Sequence, residues 1–300
     1  MPAKRRNARI GLALGAGGAR GWSHIGVIDA LHDLGVRPNV VCGTSIGALV
    51  GAAYAAGDLE RFARWVRGLD RRDVLRLMDV AWGGGLIKGR RLFELFSAQI
   101  GDRDFASLAL PCGMVATDLA TGREIWLRDG SLLEAVRASL AMPGLFTPVE
   151  RNGMLLVDGG LVNPVPVSMC RALGAEIVIA VDLGWAKLGR FRQRGGEAQR
   201  GLRAPSWLDR LARLVRREDV SEAEQRRSTP SLVEAILTGI DIMQVRVARS
   251  RLAGDPAEVM VTPMLPDFAT MDFHRAGEAI DEGRAAVQRA QPMLERMMEA

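Results

Sequence analysis

Apolar and polar positions alternate with two different periods along the first 184 residues, and their order predicts a fold. Short apolar runs at Ile10–Leu14, Val40–Cys42, Gly113–Thr117, Leu155–Val157 and Ile177–Val181 have the length and flanking turn residues of buried strands. Helical spacing intervenes: His24, Ile28 and Leu31 share one face of a segment running from Trp22 to Leu34. Ala48–Ala56 has no polar face at all, which predicts a helix buried in the core. Glu124–Leu127 is expected to form an antiparallel hairpin with the third strand across Thr121-Gly122, and Asn163-Pro164 reads as an N-cap and first residue of a helix. Strand and helix in alternation predict an α/β domain with a largely parallel sheet.

The pattern changes after residue 184. From Lys187 to Arg227 arginines dominate, and Trp207, Leu208, Leu211, Leu214 and Val215 recur at helical spacing among Arg210, Arg213, Arg216 and Arg217. Two readings stand side by side: a basic amphipathic helix on a membrane or over the site, and a solvated insertion with one short packed helix. Ser231–Leu252 reads as a long helix whose apolar side is Leu232, Ala235, Ile236, Ile240, Met243 and Val247, a stripe expected to face the core. A last helix or helix pair covers Asp272–Glu299.

Two glycine-rich turns carry the candidate chemistry. Gly43-Thr44-Ser45-Ile46-Gly47 joins a strand to a small-residue helix, the context of a Gly-x-Ser-x-Gly nucleophile elbow, and nominates Ser45 as nucleophile. Gly15-Ala16-Gly17-Gly18-Ala19-Arg20-Gly21 joins the first strand to the first helix, where backbone amides can converge on an anion. A nucleotide phosphate and the oxyanion of an acyl intermediate both qualify. The dinucleotide fingerprint is imperfect, because Arg20 stands where a glycine is required and the second strand ends in the serine elbow rather than in an acid. No Gly-Lys-Ser/Thr is present. The oxyanion reading fits better, with the amides of Gly17 and Gly18 as donors and that of Ile46 as a third. Arg20 is expected to brace the loop, to meet a substrate phosphate or to lie in solvent.

The base is the open question. His24 shares the core face of the first helix, His32 lies on its polar side beside Asp33, and His274 opens the terminal helix after the strand-like Val259–Thr262. His274 alone satisfies the chain order of a Ser-Asp-His triad. The other candidate is Asp158, delivered at a strand end by Met154–Asp158 and followed by Gly159-Gly160.

These motifs, together with Ser139-Leu140-Ala141-Met142-Pro143-Gly144-Leu145-Phe146-Thr147-Pro148, resemble in order and spacing those of the bacterial patatin-like phospholipase family. The resemblance covers most of Ile10–Asp182. It implies a three-layer sandwich with a mostly parallel central sheet and helices on both faces. It also implies a Ser45–Asp158 dyad, Gly17 and Gly18 amides holding the oxyanion, an acyl-serine intermediate and a lipid ester substrate. No cofactor follows from it. The expected organisation is a catalytic core over residues 8–184, a basic insertion or lid over 185–230, and a C-terminal helical segment over 231–300 packed on the same domain.

Composition adds a setting. The formal net charge of +5 favours an anionic surface such as phospholipid headgroups, so a peripheral membrane contact is expected. Nucleic acid would feel the same attraction, but aromatics are sparse at 5% and no recognised nucleic-acid motif is present. Cys42, Cys112 and Cys170 are widely spaced and odd in number, which suits reduced core thiols in a cytoplasm. No His/Cys cluster has metal-ligand spacing. The Lys4-Arg5-Arg6 start lacks the apolar stretch of a secretory signal, and the longest apolar run, Ile46–Gly57, is about a dozen residues against roughly 20 for a bilayer span.

Overall fold

The computed structural model describes residues 8–77, 90–184 and 232–299. The arginine-rich stretch Lys187–Arg227 lies outside the described residues. Five strands run parallel: β1 (Ile10–Leu14), β2 (Val40–Thr44), β3 (Cys112–Asp118), β7 (Ile177–Val181) and β8 (Val259–Val261), in the order β3-β2-β1-β7-β8. Antiparallel strands extend the sheet beyond β3. β4 (Glu124–Leu127) and β6 (Met154–Asp158) both pair with β3, and β5 (Val149–Arg151) pairs with β6.

The helices are α1 (Ser23–Asp33), α2 (Ile46–Ala55), α3 (Leu59–Arg67), α4 (Arg71–Leu77), α5 (Arg90–Ile100), α6 (Leu132–Ser139), α7 (Val167–Ala172), α8 (Leu232–Gly254) and α9 (Ala276–Glu299). Alternate side chains of a strand point to opposite faces, and here both faces are apolar. Leu12, Leu14, Val41, Ile179 and Val181 pack with Ile25 of α1, Leu49 of α2, Val136 of α6 and Ile280 of α9. Ala13, Val40, Cys42, Val178 and Ala180 pack with Met169 and Cys170 of α7 and Ala248 of α8. The result is an α/β sandwich of three layers, helices on both faces of a mostly parallel sheet.

The small-residue helix α2 is buried along nine of its ten residues, as its lack of a polar face requires. The three cysteines are buried and unbridged. Burial raises the Cys42 thiol well above its ordinary pKa and lifts Cys112 to about 12, so both are protonated core groups.

Two expectations are corrected. Asn163-Pro164 does not start a helix: α7 begins at Val167, preceded by Pro166. The Asn163 side chain instead donates to Glu124 Oε1 at 2.8 Å, and its carbonyl and that of Pro164 accept from Thr44 Oγ1 and the Ala16 amide. A loop whose backbone oxygens are taken by two other strand ends is not available to begin a helix. In α8 the stripe is rotated: Met243 is 55% exposed and Ile236 46%, whereas Ile240, Gln244, Val245 and Ala248 are buried. The buried face contains a glutamine, which an apolar periodicity does not find.

α1 and α9 cross at glycines. A Cβ at Gly26 would lie 1.8 Å from the Ile280 carbonyl oxygen, and one at Gly283 would lie 2.0 Å from that of Ser23. Contact this close requires the backbone to move. Gly26→Ala is therefore expected to destabilise the protein by about 2–3 kcal/mol despite alanine's better helix propensity. The midpoint of urea unfolding checks this, and an unchanged midpoint would mean that α9 is not docked at this crossing.

Candidate active site

β2 and β6 deliver their last residues to neighbouring positions of β3, Thr44 opposite Val115 and Asp158 opposite Ala116. Ser45 follows β2 directly and precedes α2. Its backbone, at φ 56° and ψ −125°, lies in a region non-glycine residues avoid, and such strain persists only where the surroundings fix it. The surroundings do. The Ser45 amide donates to Ser139 Oγ at 2.9 Å, and its carbonyl accepts from the amides of Ala48 and Leu49. Side chains are excluded on both flanks: a Cβ at Gly43 would lie 2.3 Å from the Gly47 carbonyl oxygen, and one at Gly47 2.1 Å from that of Leu14.

Ser45 Oγ donates to Asp158 Oδ2 at 2.6 Å. Both residues are buried, Ser45 at 4% exposure and Asp158 at 0%. The other carboxylate oxygen, Oδ1, accepts from the Gly160 amide at 2.7 Å, which aims the carboxylate toward the serine. Thr117 Oγ1 donates to the Asp158 carbonyl and the Asp158 amide to Ala141, so the β6 end is held on both sides. Thr44 Oγ1 donates to the Asn163 carbonyl at 2.8 Å, tying the nucleophile turn to the loop that follows Asp158.

The first glycine loop lies against the same strand ends. Amides on either side of its centre are taken: Gly15 donates to Val181, Ala16 to Pro164 and Ala19 to Thr270. Among the described residues, the Gly17 and Gly18 amides meet no carbonyl in this loop. Gly17 precedes and Gly18 opens a short 3-10 turn, Gly18–Trp22, where unpaired donors are expected. Gly18 has φ 59°, and a Cβ there would lie 2.5 Å from the Thr270 carbonyl oxygen.

Arg20 is 3% exposed, which removes the solvated reading. Its Nη1 donates to the Phe268 carbonyl at 3.1 Å and its Nη2 lies 3.6 Å from Asp241 of α8. Burial lowers its pKa, with Asp241 and Asp272 acting in the opposite direction. The observed contacts are those of a brace between the glycine loop and the C-terminal part of the chain.

No imidazole reaches the serine. His24 is fully buried, and its Nε2 contacts the Gly15 carbonyl at 2.8 Å. His32 meets Tyr54, and His274 accepts from Arg71 on the 3-10 turn Phe273–Arg275. Sequence reasoning missed Ser139, Thr44 and Thr117 as individual supports. Ser139 was within reach, since it opens the segment that carries part of the family resemblance. α8 also enters the site unforeseen: Asp241 faces Arg20 and accepts from Thr270 Oγ1 at 3.3 Å, and Gln244 packs behind Gly160.

The arrangement is a strained, buried serine whose hydroxyl lies within hydrogen-bond reach of a carboxylate. Comparison with known proteins places it. Residues 12–171 match the sequence profile described as patatin-like phospholipase. An uncharacterized NTE family protein of Mycobacterium tuberculosis is 33% identical over 332 residues, covering 94% of this chain and 91% of that protein. Human patatin-like phospholipase domain-containing protein 6 is 31% identical over 91% of this chain, and yeast lysophospholipase NTE1 29% over 93%. The chain spans only 20% and 16% of those two proteins. VipD from Legionella pneumophila is similar in structure at a TM-score of 0.46 and 14% identity, covering 94% of this chain and 66% of that one. The chain belongs to the patatin-like phospholipase family and, with it, to the lipid ester hydrolases.

His24 supports the glycine loop in a way that titration can read. With Nε2–H donating to Gly15, Nδ1 is left as a buried lone pair without a partner. Burial lowers its pKa from 6.5 to about 4, the Gly15 contact opposing. The folded state thus binds fewer protons than the unfolded state between those values. Its stabilising contribution is complete above pH 6.5 and is lost as pH falls toward 4, to about 3 kcal/mol. Urea unfolding of wild type and His24→Gln across this interval is expected to show a smaller decline in the variant. Equal slopes would contradict the buried, neutral imidazole.

Proposed function

We propose that the protein is a phospholipase A or lysophospholipase that works through a Ser45–Asp158 dyad. The observation that carries the reading is the 2.6 Å hydrogen bond from Ser45 Oγ to Asp158 Oδ2 between two buried side chains. In acylation, Ser45 Oγ forms a bond to the ester carbonyl carbon and its proton passes to Asp158. The carbonyl π electrons move to oxygen, where the amides of Gly17 and Gly18, with that of Ile46 as a third, receive the charge. When the tetrahedral centre collapses, the carbon–oxygen bond to the alcohol breaks and Asp158 returns the proton to the leaving alkoxide. Water then attacks the acyl-serine, giving its proton to Asp158, and release of the fatty acid returns that proton to Ser45.

An aspartate is a weak base, with an ordinary pKa of about 3.9. Direct contact offsets part of that weakness, because proton transfer needs hydrogen-bond reach, about 2.6–3.2 Å. Oxyanion donors supply more, about 3 kcal/mol each in comparable sites. A net charge of +5 supports work at an anionic lipid surface. Among the described residues no helix is long and apolar enough to cross a membrane, so the contact proposed is peripheral.

Hydrolysis of a short-chain nitrophenyl ester tests the dyad. Ser45→Ala and Asp158→Ala are each expected to lower kcat/KM by about 10³-fold or more with the fold retained, and His274→Ala to leave it near wild type. Wild-type turnover in either dyad variant would refute the assignment. Loss in His274→Ala with activity kept in Asp158→Ala would select a histidine triad instead.

A further inference from the structure

The outward side of α8 is apolar where a polar one is expected. Ile236, Ile242 and Met243 are 46%, 41% and 55% exposed, while the opposite side of the helix buries Ile240, Gln244, Val245 and Ala248. Single exposed apolar side chains are ordinary, but Met243 stands beside Ile242 and two turns from Ile236. Arg246 and Arg249 continue the same side one and two turns later, both exposed. Among the described residues of α8, no exposed residue is acidic. The helix therefore presents apolar side chains toward its N-terminus and cations behind them.

Packing along α8 fixes which end of the sheet these residues occupy. Ala248 and Leu252 pack with Ala13 and Val178 within the strands. Val245 borders Gly184, just past β7, and Asp241 meets Arg20 in the glycine loop that follows β1. The N-terminal turns of α8 thus lie at the carboxyl end of the parallel strands, the end at which Ser45 stands. At a helical rise of 1.5 Å per residue, Arg246 and Arg249 follow Met243 by about 5 and 9 Å. A bilayer has the same order, acyl chains beneath a charged headgroup layer, and interfacial helices enter it by about 5–10 Å. A second copy of the chain would instead bring a face of the same charge against this one. We propose that this face of α8 docks on an anionic phospholipid bilayer. Ile236, Ile242 and Met243 enter the boundary between headgroups and acyl chains, Arg246 and Arg249 meet lipid phosphates, and the strand ends that carry Ser45 face the leaflet. The proposal rests on the reading of a hydrolase at an anionic lipid surface and adds which surface of the molecule makes the contact.

Co-sedimentation with vesicles tests the face directly. Wild type is expected to bind vesicles of equal parts phosphatidylglycerol and phosphatidylcholine, and to bind more weakly at high salt or when the phosphatidylglycerol is omitted. Ile242→Glu combined with Met243→Glu is expected to weaken partition at least about 10-fold, and Arg246→Ala about 5-fold. All three positions are exposed, so core contacts stay in place, and labelling of Ser45 by an alkyl fluorophosphonate verifies that the site is assembled. Unchanged partition in either variant overturns α8 as the docking face. A wild type that is dimeric by light scattering, binds no vesicle and becomes monomeric in the double variant assigns the face to a second copy and overturns it too. The readings beneath the proposal fail differently. A monomeric wild type that binds neither kind of vesicle overturns the lipid-surface reading, and ester hydrolysis that survives Ser45→Ala overturns the hydrolase reading.

Discussion

Ser45 sits at φ 56° and ψ −125°, a conformation that a residue with a Cβ resists, and much of the structure around it serves to keep it there. Ser139 takes its amide, the start of α2 takes its carbonyl, Gly43 admits the backbone of Gly47, and Gly47 admits that of Leu14. The reward is orientation. The side chain leaves the end of β2 toward Asp158. A serine in ordinary extended backbone would point to one face of the sheet instead.

β3 sets the distance between hydroxyl and carboxylate. It pairs with β2 through Val115 and with β6 through Ala116, so two segments more than a hundred residues apart in sequence arrive one register position apart. The antiparallel β5–β6 pair attached to a mostly parallel sheet is the means by which Asp158 approaches from the opposite chain direction. The Gly160 amide holds the Asp158 carboxylate and the Thr117 hydroxyl holds its backbone carbonyl; in the proposed dyad this direct placement stands in for a bridging imidazole.

The strands and both glycine turns were legible because their signals are local. Runs such as Ile10–Leu14 and Ile177–Val181 are apolar on both faces, and Gly-x-Ser-x-Gly after a strand has few structural realisations. What sequence did not show depends on distant partners. Asn163-Pro164 has the look of a helix start, but Thr44 and Ala16 claim its carbonyls. The apolar stripe of α8 was misplaced because the face that turns inward carries Asp241 and Gln244, polar residues whose burial depends on Arg20 and on the Asp158 turn. For Arg20 the sequence left a loop brace, a phosphate contact and a solvated cation open, and the Phe268 carbonyl and Asp241, both distant in sequence, accompany its burial.

The claim on which the rest stands is that Asp158 alone activates Ser45. Rates of Ser45 labelling by an alkyl fluorophosphonate, with the adduct located by peptide mass, measure that activation without any assumption about substrate. Asp158→Asn keeps the shape of the side chain and removes its basicity. The account predicts one adduct in the wild type, on Ser45, and labelling slowed at least about 10²-fold in Asp158→Asn. Labelling of that variant at the wild-type rate, or an adduct on another residue, would contradict it.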